Sequence, residues 1–324
     1  MALLRDIKGQ DTAVSLLSST LASGRTAKSY LFCGPAGVGK ALTAKAFIMG
    51  LFCRMKDMEG GACGVCPSCL RVKSLSHPDV KWIAPEKNKK IKIEQIRDIK
   101  DILNLKPYES PASVCVIEDA HMMTVEASNA LLKILEEPPG HSLMILTTDK
   151  KELVTETVVS RCAEVRFRYL SMRETAEIIK SGSGTDERQA FFLACFSQGS
   201  PGNALRMLND GILERRDKVI RMMEEIVEEK NSSCMNWDEE DKDVLIEDLD
   251  LMIMIFRDIS LGREGLTEMV MDKNLVGTSI YRFFVKYPAR KMFGTLSRLV
   301  ELKLAVLSNV NPKLVAQRLP GCIK

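Results

Sequence analysis

No run of apolar residues in the 324-residue chain approaches the ~18 that a membrane-spanning helix requires. The opening segment MALLRDIKGQD lacks an unbroken apolar core, because Arg5, Asp6, Lys8 and Asp11 interrupt it. That pattern argues against a secretory leader. Both absences lead us to expect a cytoplasmic protein with no membrane partner. A strong charge of one sign is also missing: 46 basic residues face 43 acidic ones, for a net of +3. Such a balance gives no argument of its own for a nucleic-acid partner. There is no internal repeat. The composition, with 45% hydrophobic, 27% charged and only 6% aromatic residues, excludes a disordered, collagen-like or small disulfide-scaffold chain. The length accommodates two or three domains and a sizeable core.

What charge there is lies unevenly. Residues 224–250 hold 12 acidic and two basic residues, which leaves the remainder of the chain basic. Ten cysteines in a reducing compartment point to free core thiols and a metal site rather than to disulfides.

Periodicity divides the chain. Residues 12–24 read as an amphipathic helix ending at Gly24. Short apolar strands are predicted at Tyr30–Cys33, Asp79–Ala84, Ser113–Ile117, Leu143–Thr147 and Ala163–Phe167. Helices are predicted at about 41–53, over 93–105, and after Thr124 until Pro138-Pro139 stops the last of them. Strands alternating with helices imply a parallel sheet covered on both faces. Beyond about residue 170 the strand signals cease. Residues 172–210 read as a small helical unit, residues 211–324 as longer helices, and Asn231–Asp243 as a loop or helix start.

Gly34-Pro-Ala-Gly37-Val-Gly39-Lys40-Ala41 follows a strand and opens a helix. This is the G-x-x-x-x-G-K phosphate loop in its proper context. Its amides face the phosphates, and Lys40 would reach the β- and γ-phosphates. The next position should carry a hydroxyl for Mg²⁺. Here it is Ala41, and Thr43 points elsewhere on the helix. The strand at 113–117 ends in Glu118-Asp119. Hydrolysis commonly wants a shorter Asp first and a longer Glu second, so the reversed order leaves the second carboxylate short of the water. Gly34, Gly37, Gly39, Lys40, Glu118 and Asp119 therefore form a degenerate nucleotide site, with ATP and Mg²⁺ doubtful on this chain.

Cys53, Cys63, Cys66 and Cys69 are spaced C-x9-C-x2-C-x2-C. Four thiolates at this density suit a structural Zn²⁺; an iron–sulfur cluster or unliganded thiols are the alternatives. Cys33, Cys115, Cys195 and Cys322 read as core thiols. Lys87, Lys89, Lys90 and Lys92 read as a solvated loop rather than a phosphate-binding one. His77 and His121 have no nucleophile to serve.

Together these residues resemble the clamp-loader branch of the AAA+ ATPases, in particular the bacterial DNA polymerase III clamp-loader subunits. The resemblance runs from Gly9-Gln10 through the phosphate loop, the four cysteines, the segment Asn129-Ala-Leu-Leu-Lys-Ile-Leu-Glu-Glu-Pro-Pro139, and Ser160-Arg161-Cys162. Gly199-Ser-Pro-Gly-Asn-Ala-Leu205 extends it, and Asn309-Val-Asn-Pro-Lys-Leu314 matches near the end. Ser76-His77-Pro78-Asp79 with Ala84-Pro85-Glu86 looks like the delta-prime type. So does the absence of a charged residue at Gly202 or Asn203, where motor subunits place an arginine.

The resemblance implies an α/β P-loop AAA+ domain over residues 1–168, with the cysteine module at 53–69. It implies a helical lid at 169–210 and an all-α collar at 211–324. It further implies a pentameric ring with motor (gamma/tau) and delta subunits that loads a sliding clamp onto primer-template DNA. Arg161 would act as an arginine finger on a neighbour's ATP. The competing readings are an active gamma/tau-type ATPase and a stand-alone nucleotide binder.

Overall fold

β1 (Ser29–Cys33), buried at every position, is the strand on which the first half of the chain is organised. The computed structural model describes residues 3–55, 61–86, 89–228, 237 and 242–323. Lys87 and most of the stretch Asn231–Asp243 lie outside the described residues.

The first elements are α1 (Asp11–Ser23), β1, α2 (Lys40–Phe52), α3 (Pro67–Lys73), β2 (Val80–Ile83) and α4 (Ile93–Asn104). They are followed by β3 (Ser113–Ile117), α5 (Val125–Glu136), β4 (Ser142–Thr148), α6 (Glu156–Val159) and β5 (Ala163–Arg166). Local signals place the boundaries. Gly24 closes α1 at φ 67°, a left-handed conformation that favours glycine. The Thr124 hydroxyl accepts from the Ala127 amide at 3.2 Å and so caps α5.

All strand pairs are parallel, in the order β2-β3-β4-β1-β5. Alternation along β1 sends its side chains to two apolar layers. Leu31 and Cys33 join Cys115, Ile117, Met144 and Leu146 under α4 and α5. Tyr30 faces the other way and meets Phe47 of α2 edge-on, with ring centroids 5.6 Å apart. Helices thus cover both faces. The C-terminal edge of the sheet is left as the crevice where open α/β folds bind ligands.

Two compact units emerge. One comprises residues 1–174 and 199–203, and the other residues 175–198 and 204–324. The second contains most of α7 (Met172–Ser183), α8 (Glu187–Phe196) and the body of α9 (Pro201–Asn209). It also contains α10 (Ile212–Val227), α11 (Lys242–Arg263), α12 (Ser279–Phe284), α13 (Ala289–Leu307) and α14 (Pro312–Ile323). One apolar core runs through it, including Ile179, Phe192, Leu249, Phe256, Phe284, Leu299 and Leu319. Phe256 and Phe284 meet edge-on at 4.8 Å. Across α10 and α11, Arg215 grips the fully buried Asp248 with two bonds, Nε to Oδ1 at 2.7 Å and Nη2 to Oδ2 at 2.6 Å. Trp237 Nε1 donates to the same carboxylate at 2.7 Å.

Candidate functional site

Gly34–Gly39 turns off the end of β1, and the glycines are required where it turns. A Cβ on Gly34, at φ 150°, would lie 2.3 Å from the Phe167 carbonyl oxygen. One on Gly37, at φ 72°, would lie 2.4 Å from Ser200 Oγ. The loop is pinned by its own unit. Gln10 is buried, donates to the carbonyls of Val38 at 3.4 Å and Arg168 at 2.7 Å, and accepts from the Arg168 amide at 3.1 Å. Ser200 Oγ donates to the Ala36 carbonyl at 2.7 Å, and the Gly202 amide donates to the Gly37 carbonyl at 2.8 Å.

Lys40 is buried at the start of α2. Its Nζ donates to the carbonyls of Gly34 and Pro35, both at 2.6 Å. Burial lowers its pKa, against the opposing pull of the Asp149 and Asp119 carboxylates. Thr43 is buried and donates to the Gly39 carbonyl at 2.9 Å, so it does not replace the hydroxyl that Ala41 lacks.

The two acids after β3 separate. Glu118 Oε1 accepts the indole N–H of Trp82 at 2.6 Å. Asp119 sits in the left-handed region at φ 49°, which costs a non-glycine residue energy. Its carboxylate converges with His121 and Asp149, with the nearest donor atoms all within 4.8 Å of one another. His121 Nδ1 lies 3.2 Å from Thr148 Oγ1 and 3.3 Å from Asp149 Oδ1. No sequence motif marked Trp82, Thr148 or Asp149, and Ser200 stood out only as part of the segment Gly199–Leu205. The polar run Thr147-Thr148-Asp149 closing a central strand was the signal for two of them.

The four cysteines come together. Cys53 follows α2, Cys66 caps α3, Cys69 lies within α3, and all four Sγ atoms are within 4.8 Å of one another. The amides of Cys63 and Cys66 donate to Cys53 Sγ and Cys63 Sγ, both at 3.3 Å. Although burial opposes it, hydrogen bonds from neighbouring amides and thiols bring the Cys66 thiol down to about 6. Ionic side chains brace the module. Glu109 receives Arg54 at 3.0 Å and Arg71 at 2.5 Å. The buried His77 lies 3.2 Å from Ser68 Oγ, and burial lowers its pKa. Asp79 accepts three consecutive amides, those of Tyr108, Glu109 and Ser110. His77 is thus held inside the packing around the cysteine module.

Arg161 lies between α6 and β5, on the surface. Its Nη2 donates to Glu136 Oε1 at 2.8 Å, its Nη1 to the Thr157 carbonyl at 3.0 Å, and its own carbonyl accepts Ser29 Oγ at 2.6 Å. Of the thiols assigned to the core, Cys115 is fully buried, whereas Cys322 is half-buried. Cys33 is buried in the core as assigned, and its Sγ also donates to Glu164 Oε1 at 3.1 Å. The alternation of β1 and β5 side chains sets a carboxylate beside it.

A parallel sheet with β1 between β4 and β5, carrying a G-x-x-x-x-G-K loop into α2, is a P-loop fold. A model of the family described as DNA polymerase III, delta subunit, matches residues 9–171. The chain belongs to that family, and with it to the AAA+ clamp loaders of DNA replication. It is 27% identical over 310 residues to DNA polymerase III subunit delta' of Bacillus subtilis, covering 93% of this chain and 92% of that one. It is 30% identical over 206 residues to subunit delta' of Pseudomonas aeruginosa, covering 63% and 62%. To subunit tau of Bacillus subtilis it is 30% identical over 216 residues, covering 64% of this chain and 37% of that one. Among the described residues no helix is long and apolar enough to cross a membrane.

Proposed function

We propose that this chain is the delta-prime-type member of its clamp loader: it hydrolyses no ATP of its own and supplies Arg161 to the ATP of a neighbouring motor subunit. The observation that carries the reading is the state of its own phosphate site. Ala41 offers no hydroxyl to Mg²⁺, and one oxygen of the Glu118 carboxylate is taken up by Trp82. Arg161 is exposed and anchored at both side chain and backbone. A guanidinium so placed can stabilise the charge that spreads over a transferring phosphoryl group.

The wider assembly is part of the same proposal: a pentameric ring with motor (gamma/tau) and delta subunits, acting on a sliding clamp and primer-template DNA. Residues 169–210 would form the lid and residues 211–324 the collar that joins the ring. The four convergent cysteines fit a tetrahedral Zn²⁺, which soft thiolates favour, and amide N–H groups already face two of the sulfurs. Such an ion would brace residues 53–69 and take no part in phosphoryl transfer.

The test is Arg161→Ala in the reconstituted complex. DNA- and clamp-stimulated ATPase should fall only in part, because a finger governs about 10³–10⁵ in rate at its own site and not at the others. Clamp loading should fall further, while gel filtration shows the assembly intact. Unchanged rates in an intact assembly would refute the finger.

A further inference from the structure

Glu136 is the last residue of α5, a poor place for a carboxylate. The negative end of the helix dipole lies there, and an acid in the last turn is disfavoured. Pro138-Pro139 ends the chain's helical path directly afterwards. What the carboxylate does make is one charge-assisted bond, Oε1 to Arg161 Nη2 at 2.8 Å. Thr157 of α6 supplies the second hold on the same guanidinium, and Ser29 of β1 fixes the Arg161 carbonyl. The side chains of Arg161 and Glu136 are 37% and 50% exposed, so the pair stands in water, where an isolated ion pair contributes little to stability.

The bond therefore has small value for folding, yet it sets where the guanidinium points. Among the described residues two of its five N–H donors are used, leaving the rest of the planar fork for an external anion. A free arginine side chain must lose its rotamer freedom when it docks, whereas one already held does not. We propose that Glu136 is a positioning residue for Arg161, holding the guanidinium in the orientation in which it meets the neighbouring subunit's nucleotide. The proposal rests on the arginine-finger reading given above.

The experiment uses the full reconstituted complex with four substituted forms of this chain: Glu136→Gln, Glu137→Gln, Arg161→Ala, and Glu136→Gln combined with Arg161→Ala. DNA-stimulated ATPase gives kcat and KM, and thermal melting of the isolated chain gives stability. Glu136→Gln should lower the stimulated kcat of the complex in part, by less than Arg161→Ala does, as about a three- to tenfold loss at one of its sites requires. KM for ATP should not change. Its melting temperature should stay level or rise, because a charge is removed from the negative end of a helix. Glu137→Gln, which removes the adjacent exposed carboxylate, should leave kcat unchanged. In the Arg161→Ala background, Glu136→Gln should have no further effect. If Arg161→Ala slows the complex and Glu136→Gln does not, the positioning role fails while the finger stands. If Arg161→Ala itself has no effect, the finger reading fails first. A faster complex with Glu136→Gln would show a restraining clasp and overturn the proposal. So would equal losses from Glu136→Gln and Glu137→Gln, which would mark a general charge effect.

Discussion

The indole N–H of Trp82 donates to Glu118 Oε1 at 2.6 Å, tying the first acid after β3 to the neighbouring strand β2. A carboxylate in this bond has one oxygen committed to a neutral donor. With Ala41 in the hydroxyl position, one first-choice Mg²⁺ ligand is missing and the carboxylate after β3 is shared with an indole. We expect ATP turnover by the isolated chain to equal that of its Lys40→Ala form. Steady-state phosphate release checks this, and a clear Lys40-dependent turnover would favour a gamma/tau-type ATPase instead.

Elemental analysis of the purified chain should find about one equivalent of zinc. Cys66→Ser or Cys69→Ser should release it and expose residues 53–70 to proteolysis, because binding free energy at such a site is local folding free energy. Iron in place of zinc, or no metal at all, would contradict the assignment.

Acid should weaken the first unit through Glu164. Its carboxyl is held down at about 2 by the side chains of Arg166, Lys151 and Cys33, against about 4.5 for a free glutamate. The folded state therefore binds this proton less tightly than the unfolded one. The contribution is fully present above about pH 4.5 and disappears as the pH falls toward about 2. Urea midpoints measured on either side of that window should differ less for Glu164→Gln than for the wild-type chain. An unchanged slope would remove Glu164 from the acid response.

In the second unit, Asp248→Ala should cost about 3–5 kcal/mol of unfolding free energy. It strips the partner from Arg215 and Trp237 at a fully buried carboxylate. Denaturant unfolding with the slope held constant gives the value. A loss below about 1 kcal/mol, the range of an exposed ion pair, would show that the network is solvated.

Local order in the first unit was legible along the chain. The predicted strand Ser113–Ile117 is found unchanged, and the others lie within a residue or two of their expected ends. Thr124 and Pro138-Pro139 bound α5 as the sequence indicated. These signals are short-range: apolar alternation, a capping hydroxyl and a ring that cannot continue a helix. The cysteine cluster was legible for a related reason, since close spacing in sequence limits how far apart three of its sulfurs can lie.

The sequence alone therefore determined the phosphate loop, the missing hydroxyl at Ala41, the four convergent thiols and the layered α/β module. Tertiary structure decided which side chains use up the reactive groups. Trp82 reaches Glu118 across 36 positions, Glu164 reaches Cys33 across 131, and Glu136 reaches Arg161 across 25. No local pattern encodes such pairs. They arise because parallel strands joined by helices bring distant segments side by side, and strand register then selects which side chains meet.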